Sequence, residues 1–206
     1  MAITPKTSTL TRLTEQKTAL DQEFLSKKSI AWMQEQIKEL RTSPIKLAKE
    51  IVTEKGRPKG RFRIGGLYHY FYDPKTKDDL PYYDVFPLVI LLRKDKDGFL
   101  GLNLHYLPPK LRAIFLDKLM KYAILNDDNE PERLRITYDI LTATSRFKEY
   151  RPCIKQYLNS QIRSKIITVK PQEWETAIFL PTAVFRKAPI AKVYRESTQQ
   201  ARSKVN

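Results

Sequence analysis

One stretch constrains this chain more than any other: Arg61–Leu107, RFRIGGLYHYFYDPKTKDDLPYYDVFPLVILLRKDKDGFLGLNLHYL. Leu67, Tyr68 and Tyr70 to Tyr72 predict a strand that stops at Asp73-Pro74, because proline has no amide to give a sheet ladder. Phe86 to Leu92 is a near-continuous apolar run of strand length, the pattern of a strand covered on both faces. Lys94 to Gly98 is a polar turn closing on glycine, and Phe99 to Tyr106 returns as a strand, so Phe86–Tyr106 predicts a β-hairpin. The expected fold is α+β: a small, mostly antiparallel sheet around that hairpin, filled by its aromatics and flanked by helices from Pro109 to Ser160.

On either side of this core the spacing turns helical. Residues 1–60 predict a helical arm and a basic linker. Leu10, Leu13 and Leu20 recur at helical spacing, and Ser43-Pro44 is a cap followed by a first-turn proline. Ile45, Leu47, Ala48 and Ile51 then support a second helix. The apolar stripe of the arm is open to two readings, packing within the chain or a surface for another chain. Glu54 to Arg61 reads as a Gly/Pro-rich linker. Residues 61–185 form the α+β core domain, in which Pro109 opens the strongest helical pattern, from Leu111 to Leu125. Pro131 opens another helix with Leu134, Ile136 and Ile140, and Ile154, Tyr157 and Leu158 suggest a third. Ser164–Val169 is short and β-branched, so it predicts a strand added to the same sheet. Residues 186–206 read as a basic, polar, mobile tail.

Charge narrows the function. A net charge of +15 in 206 residues attracts polyanions, with nucleic acid the first candidate. No apolar run reaches the roughly 20 residues needed to cross a bilayer, and the polar N-terminus has no signal pattern, so neither a membrane nor secretion is expected. The densest basic segment carries Arg146, Lys148, Arg151, Lys155, Arg163 and Lys165, followed by Lys170, with Glu149 its only acid. Tyr150 and Tyr157 are interleaved, a composition suited to phosphates and to stacking on bases. Those first six cations are the candidate nucleic-acid-binding residues. The linker adds Lys55, Arg57, Lys59, Arg61 and Arg63, and the tail adds Arg186, Lys187, Lys192, Arg195, Arg202 and Lys204.

Candidates for chemistry are weaker. Two histidines, His69 and His105, and the single Cys153 are too few for a zinc site and read as structural. Gly65-Gly66 lacks the flanking residues of a phosphate loop and reads as a kink before a strand. Asp73, Asp79 and Asp84, with Lys75 and Lys77 nearby, supply the parts of a metal-dependent nuclease, but on a loop, which preorganises a metal poorly and where turn chemistry is the better account. No cofactor, metal or small-molecule substrate is expected.

The strings YFYDPKTKDDLPYYDVFPLVI and GFLGLNLHYLPPKLRAIFLDKL, with RITYDIL, YRPCIKQYLNSQIRSKII and PQEWETAIFLP after them, resemble the DNA end protector family of T-even-like tailed bacteriophages and cyanophages. The likeness spans roughly Ile64 to Phe185. It implies a non-enzymatic minor virion protein, made late and assembled in the host cytoplasm. Such a protein binds the ends of packaged double-stranded DNA, shields them from exonuclease and helps complete the head; the apolar stripe of the N-terminal arm, outside the likeness, is the expected surface for other virion proteins. The alternatives are a structural connector of the neck, tail or baseplate with no DNA role, and the nuclease.

Overall fold

The structure, a computed structural model, describes residues 7–19, 27–57, 61–123 and 148–202. Its centre is a five-stranded, wholly antiparallel sheet in the order β5-β4-β3-β1-β6. The strands are β1 (Leu67–His69), β3 (Leu88–Lys94), β4 (Gly98–Asn103), β5 (Ile154–Leu158) and β6 (Ile167–Val169). A two-stranded ribbon beside it pairs β2 (Tyr83–Asp84) with β7 (Phe185–Arg186). The helices are α1 (Thr9–Ala19), α2 (Lys27–Glu39), α3 (Pro44–Thr53), α4 (Pro109–Ala123), α5 (Trp174–Phe179) and α6 (Ile190–Arg202). The architecture is α+β.

The apolar run of β3 is buried from Leu88 to Leu92 because the sheet separates two cores. Leu88, Ile90 and Leu92 face the helices with Leu67, Leu102, Ile167 and Val169. Val89 and Leu91 face the other way, into a smaller aromatic cluster of Tyr68, Tyr70, Tyr72, Phe99 and Tyr157 capped by Phe62, Ile64, Ile162 and Ile166. This alternation is the period of two that a pleated strand imposes. In the aromatic cluster Phe99 stacks on Tyr157 at 5.2 Å and Tyr70 meets Tyr157 edge-on at 5.7 Å. Each such pair contributes roughly 0.5–1.5 kcal/mol beyond burial. The β3–β4 hairpin closes as expected through Asp95 N–H to the Gly98 carbonyl, while Leu104–Tyr106 leave the strand for a short 3₁₀ turn. Gly98 is obligatory, since a Cβ there would lie 1.9 Å from the Tyr157 carbonyl oxygen on β5. At Gly65 the backbone has φ +80°, and its amide bonds the Leu91 carbonyl, so the glycine pair does mark a kink into β1.

Three elements differ from their sequence pattern. Ile154, Tyr157 and Leu158, read as helical, belong to edge strand β5, paired from Gly98↔Leu158 to Leu102↔Ile154. Residues 190–202, read as part of a mobile tail, form α6, whose Val193 and Ser197 are buried. The stripe Leu10 and Leu13 is no free surface: both side chains lie in the core with Met33, Ala48 and Ile51. Further ties hold α1 down. Thr14 bonds Thr176, Lys17 pairs with Glu175 at 2.9 Å, and Ser8 donates to Glu54. The linker residue Arg57 is drawn inside, bonding Glu54, Thr11 and both oxygens of Glu173. The helix expected from Pro131, and Leu20 of the stripe, lie outside the described residues.

Candidate nucleic-acid interface

The six candidate cations do not form one patch. Arg146 and the side chain of Lys148 lie outside the described residues. Lys165 sits near the C-terminus of α3, its Nζ 3.4 Å from the Glu54 carbonyl, beside edge strand β6. β5 is the opposite edge, four strand spacings or about 19 Å away. Arg151, Lys155 and Arg163 remain, and of these Lys155 lines a different feature.

That feature is a cavity of about 490 Å³ walled by the loop from Pro74 to Asp84 on one side and Pro152 to Leu158 on the other, with Tyr106 at its back. The sequence folds this way because Tyr72 bridges to Ile162 and its hydroxyl oxygen accepts the Leu158 amide of β5 at 3.1 Å. Cations gather on the loop. Lys77 bonds Asp73, Arg163 lies 4.0 Å from Asp73, and Lys187 donates to the carbonyls of Asp78 and Leu80. Lys75 is exposed on the wall, and Arg151 adjoins Pro152. Lys155 is the unusual one. It is half-buried, with its ammonium 4.2 Å from the centroid of Tyr106 and no acid partner among the described residues. Burial lowers its pKa. Burial also raises the phenols of Tyr72, Tyr106 and Tyr157 and, with Glu196, pushes Tyr82 up to about 12, so the aromatic wall is neutral.

Sequence reasoning missed one polar constellation altogether. His105 Nδ1 donates to Asp84 Oδ2 at 2.7 Å, and its Nε2 accepts from the Thr182 hydroxyl at 3.2 Å. The order acid, imidazole, hydroxyl has the form of a nucleophile triad. All three residues are sealed, however: Asp84 is 4% exposed and His105 and Thr182 0%. Asp84 also accepts from the amides of Phe86 and Val184 and from Asn103. It fastens β2 to the main sheet and to the segment before β7. The same commitments remove Asp84 from the carboxylate trio considered for a nuclease. Among the described residues no three His, Cys, Asp or Glu side chains gather to hold a metal. Cys153 is buried, and burial pushes its thiol up to about 12, far from a reactive thiolate.

A pH dependence follows from the histidines. His69 lies fully buried and stacked on Phe86, with Nδ1 3.0 Å from the Pro87 carbonyl. Burial, then the nearby His105, holds its pKa well below the ordinary 6.5, and burial lowers that of His105 despite Asp84. Above about pH 6.5 neither state of the chain binds these protons; below it the unfolded chain takes them up and the fold does not. Stability is therefore expected to fall as pH drops from 7.5 to 5.5, with a limiting slope near 1.4 kcal/mol per pH unit for each histidine. Urea unfolding at the two pH values checks this, and an unchanged midpoint would refute it.

A family model described as Phage T4 terminal DNA protecting protein matches residues 8–200. No curated protein and no solved structure matches the chain.

Proposed function

The chain belongs to the phage T4 terminal DNA protecting protein family, and from that premise we propose that it is a non-enzymatic virion protein that binds the ends of packaged linear DNA and shields them from exonuclease. Completion of the head is part of the same role. The family match over residues 8–200 carries this reading. Charge supports it: with a net +15, the chain is attracted to phosphate without needing a sequence to read. Of the candidate cations, Arg151, Lys155 and Arg163 contact DNA from the cavity side, and Arg146 and Lys148 extend the same basic segment. The connector alternative needs an exposed stripe at Leu10, Leu13 and Leu20; the first two are buried within the chain, and Leu20 lies outside the described residues.

The test is a salt-titrated competition between linear and closed circular duplex of equal length. The linear form is expected to win, and bound protein to slow an exonuclease. Equal affinity would reduce the protein to a general polyanion binder, and no binding would return the connector. Replacing Arg146, Lys148, Arg151 and Lys155 together with glutamine is expected to weaken binding and flatten its salt dependence.

A further inference from the structure

We propose that the cavity between the Pro74–Asp84 loop and β5 receives one unpaired terminal nucleotide of the DNA, its base against the tyrosine wall and its phosphate at Lys155 and Lys75. This rests on the end-binding reading and specifies how an end differs from the middle of a duplex.

Four observations carry it. The volume, about 490 Å³, falls in the range of small-ligand sites and suits a single nucleotide rather than a helix. The lining is aromatic, with Tyr72, Tyr82, Tyr83, Tyr106 and Tyr157 on its walls. Every base has a π-face, so such a wall holds any base and selects none, as protection of arbitrary termini requires. The third observation is Lys155. A half-buried ammonium resting on a phenol ring, with no carboxylate beside it among the described residues, is a cation whose anion is missing. Lys75, exposed on the facing wall, supplies a second donor to the same phosphate. The fourth is concavity. Tyr72, Tyr82, Tyr106 and Tyr157 are each 8% exposed or less and form a packed apolar floor, so half-buried Tyr83 is the ring of the lining most open to a base. A stacked internal base cannot enter; an unpaired terminal base, stacked on one side only, leaves its stack at the lowest cost.

The experiment compares three duplexes of one sequence on the full chain: one with blunt ends, one with single-nucleotide overhangs, and one closed by hairpin caps. The overhang duplex is expected to bind roughly tenfold more tightly than the blunt one, the size of one base stacking on an aromatic ring. Tyr83→Leu, checked for an unchanged melting temperature, is expected to erase that advantage while blunt ends still outcompete capped ones; Lys155→Gln is expected to erase it and also to weaken binding to all three duplexes. Equal binding of overhang and blunt ends, with both above the capped duplex, overturns the cavity assignment and leaves end binding standing. Equal binding of all three overturns both. The comparison on the unmodified chain decides the matter even where a variant misfolds.

Discussion

Raising monovalent salt from about 50 to about 200 mM is expected to lower the affinity for linear duplex about a thousandfold. The cations that remain outside the fold set this response. Arg57 and Arg112 are spent within the fold, so the net charge overstates what DNA meets. Lys75 and Lys155 line the cavity, Lys77, Arg163 and Lys187 bond the loop that walls it or the Asp73 beside it, and exposed Arg151 precedes its wall residue Pro152. The acid they meet, Asp73, pairs with Lys77 and Arg163 at a solvent-exposed site, where an ion pair is worth roughly 0–1 kcal/mol, so phosphate displaces it readily. Each neutralised phosphate releases counterions with a slope near −0.9, so six contacts give a log–log slope of about −5. The pair Arg151→Gln and Arg163→Gln should reduce that slope by about 2. Fluorescence anisotropy across a salt series reads both numbers. A slope shallower than about −2 in the unmodified chain would mean that this rim does not engage the backbone.

The hairpin and the sheet around it were legible in the sequence because one residue pattern satisfied every level at once. The Leu88–Leu92 run, the Asp95–Gly98 turn and the β-branched Ile167–Val169 agree in propensity, period and turn chemistry. β5 was not legible. Over five residues, Ile154, Tyr157 and Leu158 fit a helical spacing as well as an alternating one, and Lys155 and Gln156 hide the alternation because an edge strand can leave them at the surface. α6 was missed for a related reason: Val193 and Tyr194 are a thin apolar stripe, and the helix docks partly through polar groups, Ser197 and the Tyr194 hydroxyl. The basic segment was visible as composition only. Its cations divide between the two edges of the sheet, a partition fixed by the crossing from β5 to β6. The cavity was invisible, since its walls come from Tyr72–Asp84, Tyr106 and Pro152–Leu158, brought together by the Tyr72–Ile162 bridge rather than by any local motif.

Arg112→Met is expected to destabilise the chain by about 3–5 kcal/mol. Arg112 is 2% exposed near the start of α4 and makes four bonds. Nε donates to the Leu107 carbonyl at 2.8 Å, Nη1 to Ile178 at 3.1 Å, and Nη2 to the His105 carbonyl at 3.2 Å and the Tyr194 hydroxyl at 2.6 Å. One guanidinium thereby ties α4 to the turn after β4, to α5 and to α6. Burial lowers its pKa, yet an arginine stays protonated, so the charge is held by oriented carbonyl dipoles rather than by a contacting carboxylate. Methionine fills similar space but leaves three buried carbonyls without a donor. Arg112→Lys should lose less, because the charge remains while the planar fork is gone. The consequence reaches the proposed site: α6 carries Gln200, part of the cavity wall, and Tyr194 is its tie to the core. Partial release of α6 should therefore cost the overhang preference before it costs general DNA affinity. Urea unfolding measures the stability loss, and a change below about 1 kcal/mol would show that the carbonyls find water instead.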